Sequence, residues 1–236
     1  MVYEVRTPIT QAMKEGVISR KDLKKLMKRS DIPALTRILI WIALLSFTSY
    51  LIWLSMGTWF LLPSMFLHGI IIVHHFSLQH ECCHYTAFKT RKLNDIVGHL
   101  CGFSIVLPHQ HFRYEHCDHH TYTNLNGKDP ELIKLPISVY KYIWYISAFP
   151  YWKNKFSEIF RHILGKLSDD EKIFIPKQEY ATIFNEARIM VFLYLIVFII
   201  CVSTNFWAPL WFWILPLFMG EPVMRAIRLT EHVGRP

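Results

Sequence analysis

The sequence lacks charge over two long stretches. Residues 38–80 contain no Asp, Glu, Lys or Arg over 43 positions, and residues 189–220 contain none over 32 positions. An uncharged apolar run of 18 or more residues is typical of a membrane-spanning helix, and each stretch is long enough to predict a pair of spans. Because 52% of the residues are hydrophobic, the composition also excludes an ordinary soluble domain.

Two further features are absent or scarce. Residues 1–14 lack the apolar core of a secretory signal, so the first span must itself direct membrane insertion. The five cysteines are odd in number, and four of them lie in or between histidine-rich motifs on the side that we predict to be cytoplasmic. A reducing compartment opposes disulfides, so we interpret these cysteines as small buried residues.

The basic residues are confined to the segments outside the uncharged stretches. The formal charge is +8, and the 26 Lys and Arg side chains fall within residues 1–37, 81–188 and 221–236. Basic segments remain preferentially on the cytoplasmic side of a membrane. We therefore predict that the N-terminus, the histidine motifs and the C-terminus are cytoplasmic, and we interpret the charge as a topology signal that gives no indication of nucleic-acid binding.

The predicted fold class is all-α integral membrane, with four transmembrane helices in two hairpins and a cytoplasmic histidine-rich helical cap. The first hairpin comprises spans 35–54 and 59–79, and the second occupies residues 187–223. Residues 1–35 form a basic cytoplasmic segment, in which Ser19 opens a short helix, and residues 36–236 form the membrane domain. Residues 96–107 are too short to cross twice and are predicted to be interfacial or re-entrant.

Five histidines form two motifs with helical spacing. His80 and His84 lie four residues apart, whereas His116, His119 and His120 follow the pattern H-x-x-H-H. Residues three and four apart share one face of a helix. Imidazole is a good ligand for iron, zinc, copper and nickel, so two such helices facing each other predict a transition-metal site.

The first motif by itself leaves alternatives open. His80-Glu81-x-x-His84 also fits the H-E-x-x-H pattern of zinc proteases, in which Glu81 would act as a base. A carboxylate-bridged di-iron bundle requires Glu-x-x-His on two helices. Glu81 and His84 satisfy that pattern, but Glu115 is followed three residues later by Asp118, so the second copy is missing. The second histidine motif and the four-span plan favour iron over zinc.

Taken together, the two motifs and four spans resemble the integral-membrane fatty acid desaturases. The matching words are Gln79-His80-Glu81-Cys82-Cys83-His84, Phe112-Arg113-x-x-His116-x-x-His119-His120 and Asp129-Pro130-Glu131-Leu132. The resemblance implies a non-haem centre of two iron ions, dioxygen as oxidant, and electrons from a ferredoxin or cytochrome-type donor. It further implies that a double bond is introduced into an acyl lipid or acyl-carrier substrate, while sibling enzymes, hydroxylases and ketolases, act on alkanes or carotenoids.

The resemblance also assigns roles to particular residues. The metal ligands that it implies are His80, His84, His116, His119, His120 and His232, the last at the cytoplasmic exit of the fourth span. Glu81 and Asp118, which neighbour these histidines, are candidates for orienting imidazole rings. Arg113 is a candidate for steering an acidic electron carrier or an acyl head group, since arginine pairs well with carboxylate and phosphate.

One family feature is missing from the sequence. The desaturases carry a third histidine box, another H-x-x-H-H, well after the fourth span, and no such box occurs before Pro236. We therefore expect an incomplete ligand set. The expected explanations are a chain truncated at its C-terminus or a catalytically incomplete homologue that serves only to bind a partner.

Overall fold

The computed structural model of the protein describes residues 13–133 and 138–232, and the side chains of residues 231 and 232 lie outside the described part. Within these limits the secondary structure is entirely helical. The helices are α1 (Arg20–Leu26), α2 (Ile32–Ser55), α3 (Leu61–Val73), α4 (His75–Cys83), α5 (Arg91–Ile105), α6 (His109–Tyr122), α7 (Val139–Ile146), α8 (Phe149–Ile163), α9 (Glu171–Phe174), α10 (Tyr180–Thr204) and α11 (Leu215–His232). The short basic helix α1 begins as predicted, with the Ser19 hydroxyl accepting a hydrogen bond from the Asp22 amide.

Four helical segments are long and apolar enough to cross a membrane, which agrees with the predicted all-α membrane fold. They are Ile32–Ser55, Leu61–Cys83, Lys177–Thr204 and Leu210–Thr230. The second span extends four residues beyond the predicted end at residue 79. His80 therefore lies on the last helical turn of this span, whereas the sequence placed it just after the end.

The second and fourth spans approach each other closely at two glycines. A Cβ added to Gly69 would lie 2.0 Å from the carbonyl oxygen of Pro216, and one added to Gly220 would lie 2.3 Å from the carbonyl of Gly69. Small residues let helix backbones approach this closely in membrane proteins. The contact fixes α11 against α3 and determines which side chains α11 presents near the end of the second span.

Inside the membrane domain, His68 joins three spans. Its Nδ1 lies 2.6 Å from the Thr48 hydroxyl, and its Nε2 lies 2.9 Å from the carbonyl oxygen of Phe212. Both ring nitrogens are thus within hydrogen-bond distance of a neighbour, as buried polar groups require. This histidine holds the spans together and lies outside the histidine motifs.

Helix α5 runs back along α4 and contains most of the patch predicted to be interfacial or re-entrant. The His75 ring reaches the Ser104 hydroxyl at 2.8 Å, and the Gln79 amide donates to the carbonyl oxygen of Leu107 at 2.8 Å. Because His75 begins α4 and Ser104 lies in the last turn of α5, the two helices are antiparallel. Val106, in the left-handed region at φ 59°, then ends α5 and turns the chain into α6.

Helix α8 is amphipathic and packs with one face against the rest of the protein. Its buried residues are Trp152, Lys155, Ile159 and His162, which recur at helical spacing. Phe149 and Phe160 are exposed.

Candidate metal centre

The first motif is positioned by the end of α4. His80 lies in the last turn of α4 and His84 is its C-cap residue, so that one helical turn separates the two rings. The opposite side of the helix is fixed because Leu78 and Cys82 pack in a buried cluster with Phe88. With the apolar side held against α5, the histidines are left to face α6.

The second motif is positioned by a carboxylate from a distant span. Both oxygens of Glu186 accept a hydrogen bond from the Gln110 amide at 3.0 Å, and one also accepts from the His111 amide at 3.4 Å. The same carboxylate lies 2.9 Å from Nδ1 of His99 on α5. A negative group at a helix N-terminus satisfies amides that have no partner within the helix. Glu186 therefore anchors the start of α6, from which the second histidine motif projects.

Four of the predicted histidines come together between these helices. His80, His84, His116 and His120 each offer a ring nitrogen, and these atoms all lie within 4.8 Å of one another. The Nε2 atoms of His116 and His120 are 2.9 Å apart. Two nitrogens on adjacent positions around one metal ion are separated by about 3 Å when each metal–nitrogen bond is about 2.1 Å. The donor set and its spacing therefore fit a transition-metal ion.

Two carboxylates from the loop after α6 hold the second motif. Glu131 Oε1 lies 2.8 Å from Nδ1 of His116, and Asp129 Oδ1 lies 2.7 Å from Nδ1 of His119. Arg228 on α11 in turn donates to Glu131. Histidines that bind metals usually donate their other ring N–H to a carboxylate, which fixes the tautomer and the ring orientation. Asp129 and Glu131 were missed as site residues, although both lie in the Asp129-Pro130-Glu131 sequence noted for its resemblance.

The other two predicted ligands are His119 and His232. His119 is buried, and its ring centroid is 5.6 Å from that of His116 and 5.7 Å from that of His120. His232 is the last residue of α11, and its side chain lies outside the described part of the structure. The assignment of both residues as ligands stays a prediction.

Comparisons with known proteins match this arrangement to one family. The family profile described as "Fatty acid desaturase" matches residues 57–236, about three quarters of the chain. The chain belongs to the fatty acid desaturase family. The matched range includes both histidine motifs, the loop that bears Asp129 and Glu131, and three of the four spans.

Individual relatives match over shorter regions. The Omega-6 fatty acid desaturase, chloroplastic, of Arabidopsis thaliana is 32% identical over 103 residues, which cover 43% of this chain and 22% of that protein. The sn-1 oleoyl-lipid 12-desaturase of Anabaena variabilis is 34% identical over 77 residues, covering 32% of this chain and 22% of that protein. The enzyme of that name from Synechocystis sp. is 24% identical over 184 residues, which cover 74% of this chain and 51% of that protein. The matched regions thus span from about a fifth to about half of these desaturases.

In this member of the desaturase family, Glu81 and Asp118, the candidates for orienting imidazole rings, occupy different environments. Glu81 Oε1 lies 3.7 Å from Nδ1 of His80, while Oε2 accepts a hydrogen bond from Thr86, and the side chain is 45% exposed. Asp118 is partly buried, and burial together with the charge of Asp129 raises the pKa of its carboxyl. The proposed ring-orienting roles of Glu81 and Asp118 stay predictions.

Arg113 is held within a cluster of polar side chains. Its guanidinium donates to Asp95 at 2.9 Å and to the Tyr85 hydroxyl at 2.6 Å, and it lies 4.2 Å from the centre of the Tyr85 ring. With a side chain that is 12% exposed, Arg113 joins α6 to α5 and to the residue after His84. Its proposed steering of a carrier or head group stays a prediction.

The electrostatics of the histidine cluster favour neutral imidazoles and an ionised carboxylate. Burial, followed by the proximity of His116, lowers the pKa of His84 and of His120. Burial opposes ionisation of Glu131, but the hydrogen bond from His116 and the charge of Arg228 outweigh it and hold the pKa of this carboxyl well below its usual range. Neutral imidazole is the form that binds metal ions.

Two cavities adjoin the histidines. One, of about 430 Å³, is lined by His80, His116 and His120. The other, of about 350 Å³, is lined by Phe76 and Phe112 and extends to Lys155 and Arg225. Glu131 and Arg228 border both cavities. The first cavity borders the histidines directly, whereas the second reaches them through Glu131, whose carboxylate lies 2.8 Å from Nδ1 of His116.

Proposed function

We propose that the chain carries the first two histidine boxes of a membrane-bound, dioxygen-dependent fatty acid desaturase. The observation that carries the proposal is the convergence of His80, His84, His116 and His120 within a matched desaturase domain. Because the matched regions cover at most about half of the relatives quoted above, the activity is proposed for the protein to which this domain belongs.

The proposed cofactor is a pair of non-haem iron ions. The ligands proposed are His80, His84, His116, His119, His120 and His232. Iron supplies the oxidising power needed to break an unactivated C–H bond, which no side chain provides. The contribution of the protein is to hold neutral imidazoles in fixed orientations, and the Glu131 and Asp129 carboxylates do this from Nδ1 of His116 and His119.

The proposed substrate is a fatty acyl chain of a membrane lipid or acyl carrier. Support comes from the relatives, whose names specify omega-6 fatty acids and oleoyl-lipid. The chamber lined by Phe76 and Phe112 offers further apolar walls, including Val73 and Leu107, next to Glu131 at the histidine cluster. Apolar walls position an acyl chain through burial and exclude water from the reacting carbon.

The histidine boxes and both termini are proposed to face the cytoplasm, where a ferredoxin or cytochrome-type donor would supply electrons. Cys117 on α6 is exposed, whereas Cys82, Cys83, Cys101 and Cys201 are buried. A membrane-impermeant maleimide should therefore label Cys117 in inside-out vesicles and leave it unlabelled in right-side-out vesicles. A Ser203→Cys variant, placed at the exposed end of α10, should show the reverse preference. Labelling of both sites from the same side would contradict the proposed topology.

The activity is tested by iron analysis and lipid analysis together. Cells expressing the longest protein that the coding DNA provides should acquire new double bonds in their acyl lipids, and the purified protein should contain iron. His84→Ala should abolish both, whereas His99→Ala, which removes a histidine outside the cluster, should retain iron. Purified protein that contains zinc or no metal, together with unchanged lipids, would contradict the proposal.

A further inference from the structure

A second group with histidines lies on the other side of α6 from the desaturase cluster, by which we mean His80, His84, His116 and His120. His111 near the start of α6, His162 near the end of α8 and Glu171 at the start of α9 offer donor atoms within 4.8 Å of one another. All three side chains are buried, at 1%, 0% and 5% exposure. None of them belongs to the two histidine boxes.

The two imidazoles are incompletely satisfied. Neither ring nitrogen of His111 makes a hydrogen bond with any residue that the structure describes, and the same holds for Nδ1 of His162. Glu171 Oε1 lies 3.0 Å from Nε2 of His162 and 3.5 Å from Nε2 of His111. Buried polar groups normally find a partner, so a buried histidine with two unpartnered nitrogens indicates that a further group binds here.

Negatively charged side chains around His111 favour the binding of a cation. Besides Glu171, the carboxylates of Glu158 and Glu115 face His111, at 3.4 Å and 3.9 Å from its Nδ1. Lys155 pairs with Glu158 at 2.7 Å, and Arg161 donates to Glu171 Oε1 at 2.9 Å. Arg161 therefore competes with a cation for that oxygen. Its side chain is 36% exposed, however, so it can withdraw towards solvent at little cost.

An acidic cavity provides an approach to the group. It has a volume of about 520 Å³ and includes Glu171 in its wall. The carboxylates that line it are Glu115, Asp118, Asp129, Asp170 and Glu171. Lys128 also lines the cavity, but the carboxylates outnumber it. A cleft in which one sign of charge predominates raises the local concentration of counter-ions, so this cavity would draw divalent cations towards the buried histidines.

We propose that His111, His162 and Glu171 bind a divalent transition-metal ion of the Zn²⁺ type that links α6, α8 and α9. Two imidazoles and one carboxylate are an established donor set for such ions. The bound ion would hold the amphipathic helix α8 against the helix that carries the second histidine box. Its role is structural, and the inference does not rest on the proposed desaturase activity.

The competing arrangement is a salt-bridge network without metal. Burial works against protonation of His111, but the carboxylates of Glu158 and Glu171 outweigh it and raise the pKa of this histidine. In that arrangement an imidazolium would be shared between the two carboxylates, and Glu158 would matter as much as Glu171. In the metal-bound arrangement Glu171 is a ligand, whereas Glu158 pairs with Lys155.

The test separates the two metal sites by substitution. In a His84→Ala/His120→Ala background, which removes two donors from the desaturase cluster, Co²⁺ and Zn²⁺ are titrated into metal-depleted protein. About one equivalent of Co²⁺ should bind and give visible absorption, and Zn²⁺ should displace it. Saturation with Zn²⁺ at 100 times its Kd should raise the stability by about 2.7 kcal/mol, seen as a rise in the thermal midpoint.

Variants of single residues identify the ligands. Glu171→Gln and His111→Gln should each abolish Co²⁺ absorption and the rise in thermal midpoint caused by Zn²⁺. Glu158→Gln and His99→Gln, which retain all three proposed ligands, should preserve both. The melting curve of each variant without metal shows whether it folds. In the otherwise unaltered chain, Glu171→Gln should lower the total bound metal by one equivalent.

Two outcomes would overturn the proposal. One is the absence of Co²⁺ binding in the background protein, provided that the unaltered chain with Glu171→Gln also retains its full metal content. The other is Co²⁺ binding that persists in Glu171→Gln, together with an equal loss of metal-free stability in Glu158→Gln and Glu171→Gln, which is the result that the salt-bridge network requires.

Discussion

Substitution of Glu131 by Gln tests whether the carboxylate behind His116 tunes the candidate metal site. The side chain is 5% exposed, and Oε1 lies 2.8 Å from Nδ1 of His116. Glutamine retains the size and the acceptor oxygen but removes the charge that favours the correct tautomer of the ring. Loss of such an outer partner typically weakens metal binding by about 10-fold to 100-fold. That range corresponds to about 1.4 to 2.7 kcal/mol of binding free energy.

The assay is competition with a chelator for Fe²⁺ bound to purified protein, followed anaerobically as metal content at increasing chelator concentration. The control is Glu81→Gln, because the Glu81 carboxylate is 3.7 Å from His80 and its side chain is 45% exposed. An exposed ion pair contributes about 0 to 1 kcal/mol, so this variant should stay within about 5-fold of the unaltered protein. Equal retention of iron in the two variants would refute the assignment of Glu131 as a ring-orienting residue.

Three further substitutions test how the site is held in place. Glu186→Gln should destabilise the protein by about 1 to 2 kcal/mol in chemical denaturation and speed hydrogen exchange at the Gln110 amide, because the charge at the start of α6 is lost. Hydrogen bonds from Thr90 lower the pKa of Asp31 below its ordinary value of 3.8. The stabilisation that these bonds give to the folded protein is therefore present above pH 3.8 and is lost as the pH falls further. Exchange at the Thr90 amide should therefore rise at acidic pH, and Asp31→Asn should remove this pH dependence. Gly220→Ala should cost about 1 to 3 kcal/mol, seen as a lower thermal midpoint, because the added methyl group overpacks the contact with the second span.

Each of these substitutions has a control. Asn185→Ala removes a polar side chain next to Glu186, and it should leave exchange at Gln110 unchanged. Ser203→Ala alters an exposed small residue of the same hairpin as Gly220, and it should leave the thermal midpoint within about 0.5 kcal/mol. A pH dependence that persists in Asp31→Asn, or a Gly220→Ala variant as stable as Ser203→Ala, would contradict the contacts from which these effects are derived.

The sequence was sufficient to predict the spans and the pairing of the two histidine motifs, because both depend on local signals. Uncharged apolar stretches identify membrane-spanning segments, and spacings of three and four residues identify one face of a helix. The predicted end of the second span was early by four residues. Leu78 and Cys82 pack against residues of α5, and this tertiary contact extends the helix past the last apolar stretch.

The features of the site that could not be predicted from the sequence all depend on contacts between segments that are far apart in the chain. Glu186 lies 76 residues after Gln110, and Arg228 lies 97 residues after Glu131, so neither pairing has a local signature. The H-E-x-x-H pattern is, by contrast, a purely local signature, and taken alone it suggested a zinc protease. The desaturase family match over residues 57–236 decides between these interpretations, since it includes the second motif and the following spans.

A continuous set of contacts connects the interior of the membrane domain to the candidate metal centre. Gly220 packs against Gly69, and this close approach sets the position of α11 along the second span. Arg228, eight residues further on and about 12 Å along the helix, then reaches Glu131, which holds the ring of His116. A methyl group at Gly220 must displace one helix from the other, so Gly220→Ala should weaken Fe²⁺ retention as well as stability. Retention equal to that of the unaltered protein, in a variant with a clearly lowered thermal midpoint, would show that Glu131 keeps His116 oriented without help from α11.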